Sequence, residues 1–311
     1  MVAVGSVRDV TLLDGVWDFI HHSDGLQRQA TVPGPWQAAF ADLRQSYGHA
    51  TYARTVVVPQ TQDAVFLCFG AVSHSAVVRI AGQDIGRHDN GWLPFEVRVP
   101  DDLKGQTVAL QVDCHLPGPD DAGPDSFADI PHGKMGWYGP TGGLWQSVRL
   151  ETRPARHLTH CAITADPATG KVAVQITETG SGPRDVSVVF DGAVVAHGDE
   201  LTVANPRMWS PDDPALYRVR VDLDGDVTEH SFGFRSFTAK DGQMFLNGKP
   251  FYMRAALDQD YYPQSICTPP STAYLEDQFH KARSLGLNML RFHIKVPDPR
   301  YLEVADRLGM L

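Results

Sequence analysis

The sequence predicts a mainly β chain: a large antiparallel β-sandwich, a smaller immunoglobulin-like sandwich, and the opening of a parallel α/β fold. Three observations carry this. Short runs rich in Val, Ile, Leu and Phe recur between Gly, Pro, Asp and Asn from the start to Arg153. The pattern repeats on a smaller scale from Pro154. Near Phe237 it gives way to strand–helix–strand–helix.

In the first stretch, 1–153, the runs are TYARTVVVP, AVFLCFGAV, SAVVRIAG, FEVRVP and TVALQVDC. Their length and spacing fit antiparallel strands of a sandwich, with Gly82 turning a hairpin in IAGQDIGRH. In the second, 154–236, HLTHCAITAD, KVAVQITETG, DVSVVFDG, ELTVANP, LYRVRVDLDG and VTEHSFGFRSF place about seven short strands in some eighty residues, the size of an immunoglobulin-like sandwich. In the third, 237–311, DGQMFLNGKPFYMRAALD reads as a hairpin leading into a buried strand. PPSTAYLEDQFHKARSLG then reads as a helix capped by Ser271 or Thr272, with Leu275, Phe279, Ala282 and Leu285 on one face and Gly286 at its end. LNMLRFHI is the next strand, and DPRYLEVADRLG the next helix, with Asp298 as N-cap, Pro299 in the first turn and Gly309 as stop.

The 311 residues are 42% hydrophobic and 21% charged, enough apolar material for several cores. The net charge of -10 argues against nucleic acid or an anionic membrane as partner, and suits a neutral one such as a sugar. MVAVGSVRDVTLLDGVWDF has no basic start followed by a long apolar run, so neither a signal peptide nor a membrane span is expected, and the expected compartment is the cytoplasm. Cys68, Cys114, Cys161 and Cys267 are scattered without a CxxC and read as buried free thiols; no metal site is expected. HHSDG at His21, His22 and Asp24 reads as a hairpin tip, and the acidic loop PGPDDAGPDSFAD as a solvated turn rather than a calcium loop. GSGPRD and GPTGG lack the following Lys-Ser/Thr of a phosphate loop, and no Ser-His-Asp set is evident from spacing.

Several motifs, taken in order, resemble glycoside hydrolase family 2. GPTGGLWQSVRLE is similar to the end of that family's jelly-roll-like sugar-binding domain. MWSPDDPALYRVRV with FGFRSF resembles the end of its immunoglobulin-like domain. FLNGKPFYMRAALDQDYYP and LGLNMLRFHIKVPDPRYLEVADRLGML resemble the entry into its catalytic (β/α)8 TIM barrel. The family includes β-galactosidases, β-glucuronidases and β-mannosidases, which are retaining enzymes with a glutamate acid/base and a glutamate nucleophile. A complete barrel needs about 250 residues. The resemblance therefore implies an incomplete barrel over 237–311. The acid/base glutamate of the family follows an asparagine near the fourth strand, and the nucleophile lies near the seventh. This sequence has no Asn-Glu dipeptide, so both glutamates are expected beyond Leu311, and the chain is expected to be inactive alone. No cofactor is implied, because two carboxylates suffice for glycoside hydrolysis.

Alternation puts Met289, Arg291 and His293 on one face of LNMLRFHI, with Arg291 and His293 near the C-terminal mouth of a barrel. The family carries an arginine and a histidine in this neighbourhood, its histidine commonly one residue later. Asp258 and Asp260 are read as hydroxyl-binding carboxylates partnered by Arg291, and Tyr261 and Tyr262 as faces for a sugar or packing under the barrel rim. As a catalytic pair the two aspartates are disfavoured, since residues on one short segment do not flank a sugar ring. The loop DSFADIPHGKMGWYGPTGGLW corresponds to one that reaches over the family's barrel mouth; Trp137 and Tyr138 offer pyranose-stacking faces, and Asp129, His132 and Lys134 hydrogen bonds. Trp145 is read as a plug between sandwich and barrel, and for Trp137 that reading stands evenly beside sugar stacking.

Leu290, Phe292 and Ile294 need cover, and leaving one such side chain in water costs roughly 1.5–3 kcal/mol. The terminal segment is therefore expected to be poorly ordered, docked on the sandwiches or paired with another chain. The expected ligand is a β-linked glycoside or oligosaccharide, with a homo-oligomer or a complementing C-terminal chain as protein partner. Two other readings stand beside the N-terminal part of a retaining glycosidase: a stand-alone carbohydrate-binding protein, and one chain of a split glycosidase. The maintained helix caps and stops of the last segment favour the enzyme.

Overall fold

A computed structural model describes residues 5–6, 8–122, 126–132 and 134–311. Its first body is two antiparallel sheets face to face. Six strands run in the order Gln27–Val32, Gly15–His21, Gly48–Val57, Thr107–Leu116, Ser75–Ile80 and Gln83–Asp89. Four more run Val10–Leu12, Val148–Arg153, Ala64–Phe69 and Phe95–Arg98. Strict alternation does the sorting: in Thr107–Leu116 the side chains of Val108, Leu110, Val112, Cys114 and Leu116 are buried and their neighbours are not. They meet Trp17, Phe19, Trp36, Tyr52, Leu67 and Phe69 in one core.

The second body packs a five-stranded sheet on a three-stranded one around Val188, Tyr217, Val219, Val221, Leu223 and Phe234. Its edge strand is Gly5–Ser6, which pairs antiparallel with Val227–Phe232, so the start of the chain crosses over to the second sandwich. Arg8 fixes that crossing. Its guanidinium donates to both Asp226 oxygens at 2.7 Å, to Glu151 at 2.8 Å and to the Leu158 carbonyl at 2.8 Å. Arg153 adds a bond to Glu151 at 2.7 Å and bonds to Glu96 at 2.5 and 2.7 Å.

After a three-stranded hairpin segment at 237–250, Ala255–Asp258 and Met289–Phe292 form a parallel pair. The helix Thr272–Ser284 connects them on one side, and the helix Pro299–Leu308 follows. Ser271 Oγ accepts the Tyr274 amide at 3.0 Å, and Asp298 Oδ1 accepts the Arg300 amide at 3.0 Å ahead of Pro299. Gly309 ends the last helix at φ +70, and a Cβ there would stand 2.2 Å from the Pro211 carbonyl oxygen. Leu275, Phe279, Tyr301 and Val304 enclose a third core, against which Leu290 and Phe292 pack. Beyond the last helix, Leu311 exchanges backbone bonds with Asn288 (3.1 Å) and Leu290 (2.8 Å), the pattern of a further parallel neighbour.

Of the three fates expected for this segment, the structure shows docking, and on both sandwiches. Ile266 and Cys267 pack on Trp145 and Trp92, with Thr268 Oγ1 donating to the Trp145 carbonyl at 2.6 Å. Trp209 Nε1 donates to the Asp306 carbonyl at 2.8 Å, and Arg283 donates to the carbonyls of Pro211 (2.7 Å) and Gly309 (2.8 Å). All four cysteines are buried free thiols, and burial pushes Cys68 and Cys267 up to about 12. Among the described residues, no helix is long and apolar enough to cross a membrane.

Candidate functional site

The carboxyl ends of the two parallel strands are where parallel α/β folds present chemistry, and the chain gathers polar groups there. Asp260 is the centre. It sits at φ +50 two residues past the Ala255–Asp258 strand, a left-handed conformation that aspartate tolerates better than most. Its side chain is 1% exposed, receives the Tyr262 hydroxyl proton at 2.5 Å on Oδ1, and faces Lys295 Nζ at 3.2 Å through Oδ2. That second contact is an ion pair without an aligned hydrogen bond. Lys295 Nζ also donates to the Asp260 backbone carbonyl and lies 4.2 Å from the Tyr261 ring centroid. Burial pushes the Asp260 carboxyl up to about 6, and the lysine ammonium opposes this only in part.

Tyr261 carries the link to the first sandwich. Its ring stacks on Tyr138 at 3.9 Å with 9° between planes, and burial pushes its hydroxyl well above the ordinary range. Tyr138 ends the short helix Met135–Tyr138, so the loop from the first sandwich is seated on the strand ends. Its neighbour Trp137 is 84% exposed, with Lys134 Nζ 5.6 Å from the ring centroid. Trp145, read as a plug, is buried and donates its Nε1 proton to the Gly91 carbonyl at 2.8 Å. Asp129 is occupied by Ser126 Oγ at 2.6 Å, and His132 stacks on Phe127 at 4.4 Å.

Two sequence expectations are corrected. Arg291 does not partner the aspartates. The register opposes Arg291 to Leu257 and Asp258 to Phe292, so Asp258 lies with the helix-facing set and Arg291 on the other face. Asp258 accordingly accepts bonds from Gln278 Nε2 at 2.9 Å and from the Tyr301 hydroxyl, both on helices. Its other oxygen takes the Asp260 amide at 2.7 Å, so both oxygens are held inside the fold rather than offered to a hydroxyl. Tyr262 is buried and engaged with Asp260 and Tyr274, so it packs and presents no face. Arg291 is exposed, and His293 follows the strand end, its amide donating to the Asp258 carbonyl at 3.1 Å. Partial burial, Lys134 and Arg291 together hold the His293 imidazole below its ordinary value.

Lys295 and Tyr301 are the site residues that sequence reading missed. A lysine between Ile294 and Val296 just after a strand was the available signal for the first. Tyr301 looked like any apolar-face helix residue. A cleft of about 760 Å³ lies at the opposite ends of the strands, lined by Tyr252, Arg254, Lys249, Arg283, Asn288 and Asp212 among others, and holds none of the predicted residues.

This arrangement defines a class: a mainly β chain of several sheets that delivers a parallel strand pair and its helices onto two sandwiches. It is shared with a solved family 2 β-galacturonidase from Eisenbergiella tayi (TM-score 0.84, 24% identity, 100% of this chain and 58% of that one). Residues 157–235 match the family described as Glycosyl hydrolases family 2. A β-glucuronidase of Paenibacillus borealis is 27% identical over 98% of this chain and 58% of its own length. A β-galactosidase of Thermoanaerobacter pseudethanolicus is 25% identical over 79% of this chain and 36% of its own. The chain is thus similar to the N-terminal portion of glycosyl hydrolases of family 2. It spans little more than half the length of the first of these curated relatives and about a third of the second.

Proposed function

We propose that this chain is the N-terminal part of a retaining glycosidase acting on β-linked sugars. The observation that carries this is the docked parallel strand pair, whose carboxyl ends meet the Met135–Tyr138 loop through the Tyr138–Tyr261 stack. The first sandwich is then the sugar-binding domain, the second the immunoglobulin-like domain, and 237–311 the beginning of a TIM barrel. Trp137 supplies a free aromatic face for the apolar side of a pyranose. Arg291 and His293 supply hydrogen bonds from the strand face that looks away from the helices. The buried Asp260–Lys295 pair positions Tyr261, and through it the loop. Acid/base and nucleophile glutamates 5–5.5 Å apart, as retention requires, are not contributed by these residues. The relatives' names, β-glucuronidase and β-galactosidase, point to glucuronides and galactosides as the first substrates to try.

Leu257, half exposed on the strand face it shares with Arg291, supports a second reading, in which a complementing chain supplies further strands. The test is hydrolysis of 4-nitrophenyl β-glucuronide and β-galactoside. The purified chain is assayed alone, and again after mixing with the C-terminal part of a family relative. The expected result is no turnover alone and recovered turnover with a complement. Turnover by the pure chain ending at Leu311 overturns the assignment of the glutamates to another segment.

A further inference from the structure

The cleft of about 760 Å³ at the amino ends of the parallel strands takes no part in the chemistry described above. It lies where the second sandwich, the hairpin segment and the turn after the helix Thr272–Ser284 meet, and its size falls within the roughly 300–1,000 Å³ of small-molecule sites. Two carboxylates line it, and both have arginine partners. Asp213 accepts from Arg207 at 2.5 and 2.9 Å, and Asp212 stands 3.5 Å from Arg283. Arg283 is itself committed to the fold through the carbonyls of Pro211 (2.7 Å) and Gly309 (2.8 Å). Lys249 and Arg254 are different. Both line the cleft as exposed cations, and neither side chain has a hydrogen bond or ion pair among the described residues. In a chain of net charge -10, two unanswered cations in one cleft make a local positive surface.

The backbone that carries these cations is held in place. Asn288 is buried; its Nδ2 donates to the Tyr252 carbonyl at 3.0 Å, and its Oδ1 accepts the Arg254 amide at 2.9 Å. The Phe251 amide donates to the Met244 carbonyl at 2.8 Å, and Lys249 pairs with buried Leu246 in the hairpin. Tyr252 lies between the two cations in sequence and lines the same cleft, 83% exposed. A ring so open contributes little to any core, and its face is free for a partner. The three side chains have complementary uses. A guanidinium takes a carboxylate or phosphate through two parallel bonds, an ammonium adds a point charge, and a tyrosine face packs on the C–H side of a sugar ring.

We propose that this cleft binds an acidic sugar, a pyranose bearing a carboxylate or phosphate group, with Arg254 and Lys249 on the acid and Tyr252 against the ring. The choice of a sugar rests on the glycosidase reading; the choice of an acid rests on the two cations. The cleft lies at the opposite strand ends from Asp260, so a ligand there leaves the candidate site open. The experiment is titration of the isotope-labelled full chain, followed by NMR at the amides of Asn247, Gly286 and Asn288 in the cleft. Sodium glucuronate and glucose 6-phosphate are the ligands; glucose, inorganic phosphate and adenosine monophosphate are the controls. Binding is read without turnover, so its failure is distinct from failure of the hydrolysis assay. Both acidic sugars, or one of them, should shift these amides, with glucose at least about tenfold weaker, and the tighter of the two identifies the acid group. Lys249→Gln and Arg254→Gln should each weaken the acidic sugar about tenfold, and Tyr252→Ala should weaken it as well. All three residues are exposed, so the variants keep the fold. Affinity should also fall as salt rises, because exposed charges are screened. No shift with either acidic sugar, glucose bound as tightly, or inorganic phosphate or adenosine monophosphate bound as tightly each overturns the assignment. So does binding that survives in the Lys249 and Arg254 variants but is lost in Trp137→Ala, which would put the sugar at the other strand ends.

Discussion

At the scale of single residues, the buried Asp260–Lys295 pair makes the sharpest statement. Its carboxyl titrates near 6 because burial outweighs the ammonium beside it. A carboxyl raised in this way binds protons more tightly folded than unfolded. Its contribution to stability is therefore full below the ordinary value near 4 and is lost as pH rises through about 6. Lys295→Met removes the opposing cation and should move the titration above about 6 in carboxyl carbon NMR. It should also cost about 3–5 kcal/mol at neutral pH, the usual result of orphaning one partner of a buried pair. An unchanged midpoint refutes the pairing. Trp137 is the opposite case. Because it is 84% exposed, Trp137→Ala should change stability by no more than about 0.5 kcal/mol in a denaturant melt. In a complemented enzyme it should raise KM for an aryl β-glycoside, and an unaltered KM removes the tryptophan from the substrate surface.

At the scale of elements, the terminal segment depends on its own small core more than on its strands. Phe279 is fully buried between Tyr301 and the other helix residues. Phe279→Ala should cost about 3–5 kcal/mol, expressed as faster amide exchange across Met289–Phe292 while amides of Thr107–Leu116 keep their protection. Uniform loss across both regions refutes an independent core. The elements themselves were legible from sequence for local reasons. Ser271, Asp298, Pro299 and Gly309 do what their chemistry prescribes at helix ends, and alternation put Leu290 and Phe292 toward the helices. The pairing of Asp258 with helix hydroxyl and amide groups was not legible. Register between two strands thirty-odd positions apart is a tertiary fact, and it reversed the partner assigned to Arg291. The crossing of Gly5–Ser6 to the second sandwich was hidden for the same reason, since two residues carry no periodicity.

At the scale of the whole molecule, electrostatics join what hydrophobic cores keep separate. Glu151 is buried among Arg8, Arg149 and Arg153. Burial alone would raise its carboxyl, but the arginines overcome that and hold it at about 2. A depressed carboxyl stabilises the fold fully above its unfolded value near 4.5, and the contribution is lost as pH falls through about 2. The shift corresponds to something on the order of 3 kcal/mol. The melting temperature of the intact chain should therefore drop between pH 5 and 2, and Glu151→Gln should flatten that drop while lowering stability at pH 7. A parallel acid profile in the variant refutes the assignment.

The Arg8 crossing has one more consequence. The chain passes between the sandwiches after Arg153, and beside that joint Gly5–Ser6 and Arg8 strap the start of the chain to the second sandwich as well. A protease cut at that joint would sever the backbone without parting the halves. The two fragments would migrate together in native gels and separate only in denaturant, so a single nick in this protein is a scar rather than an amputation.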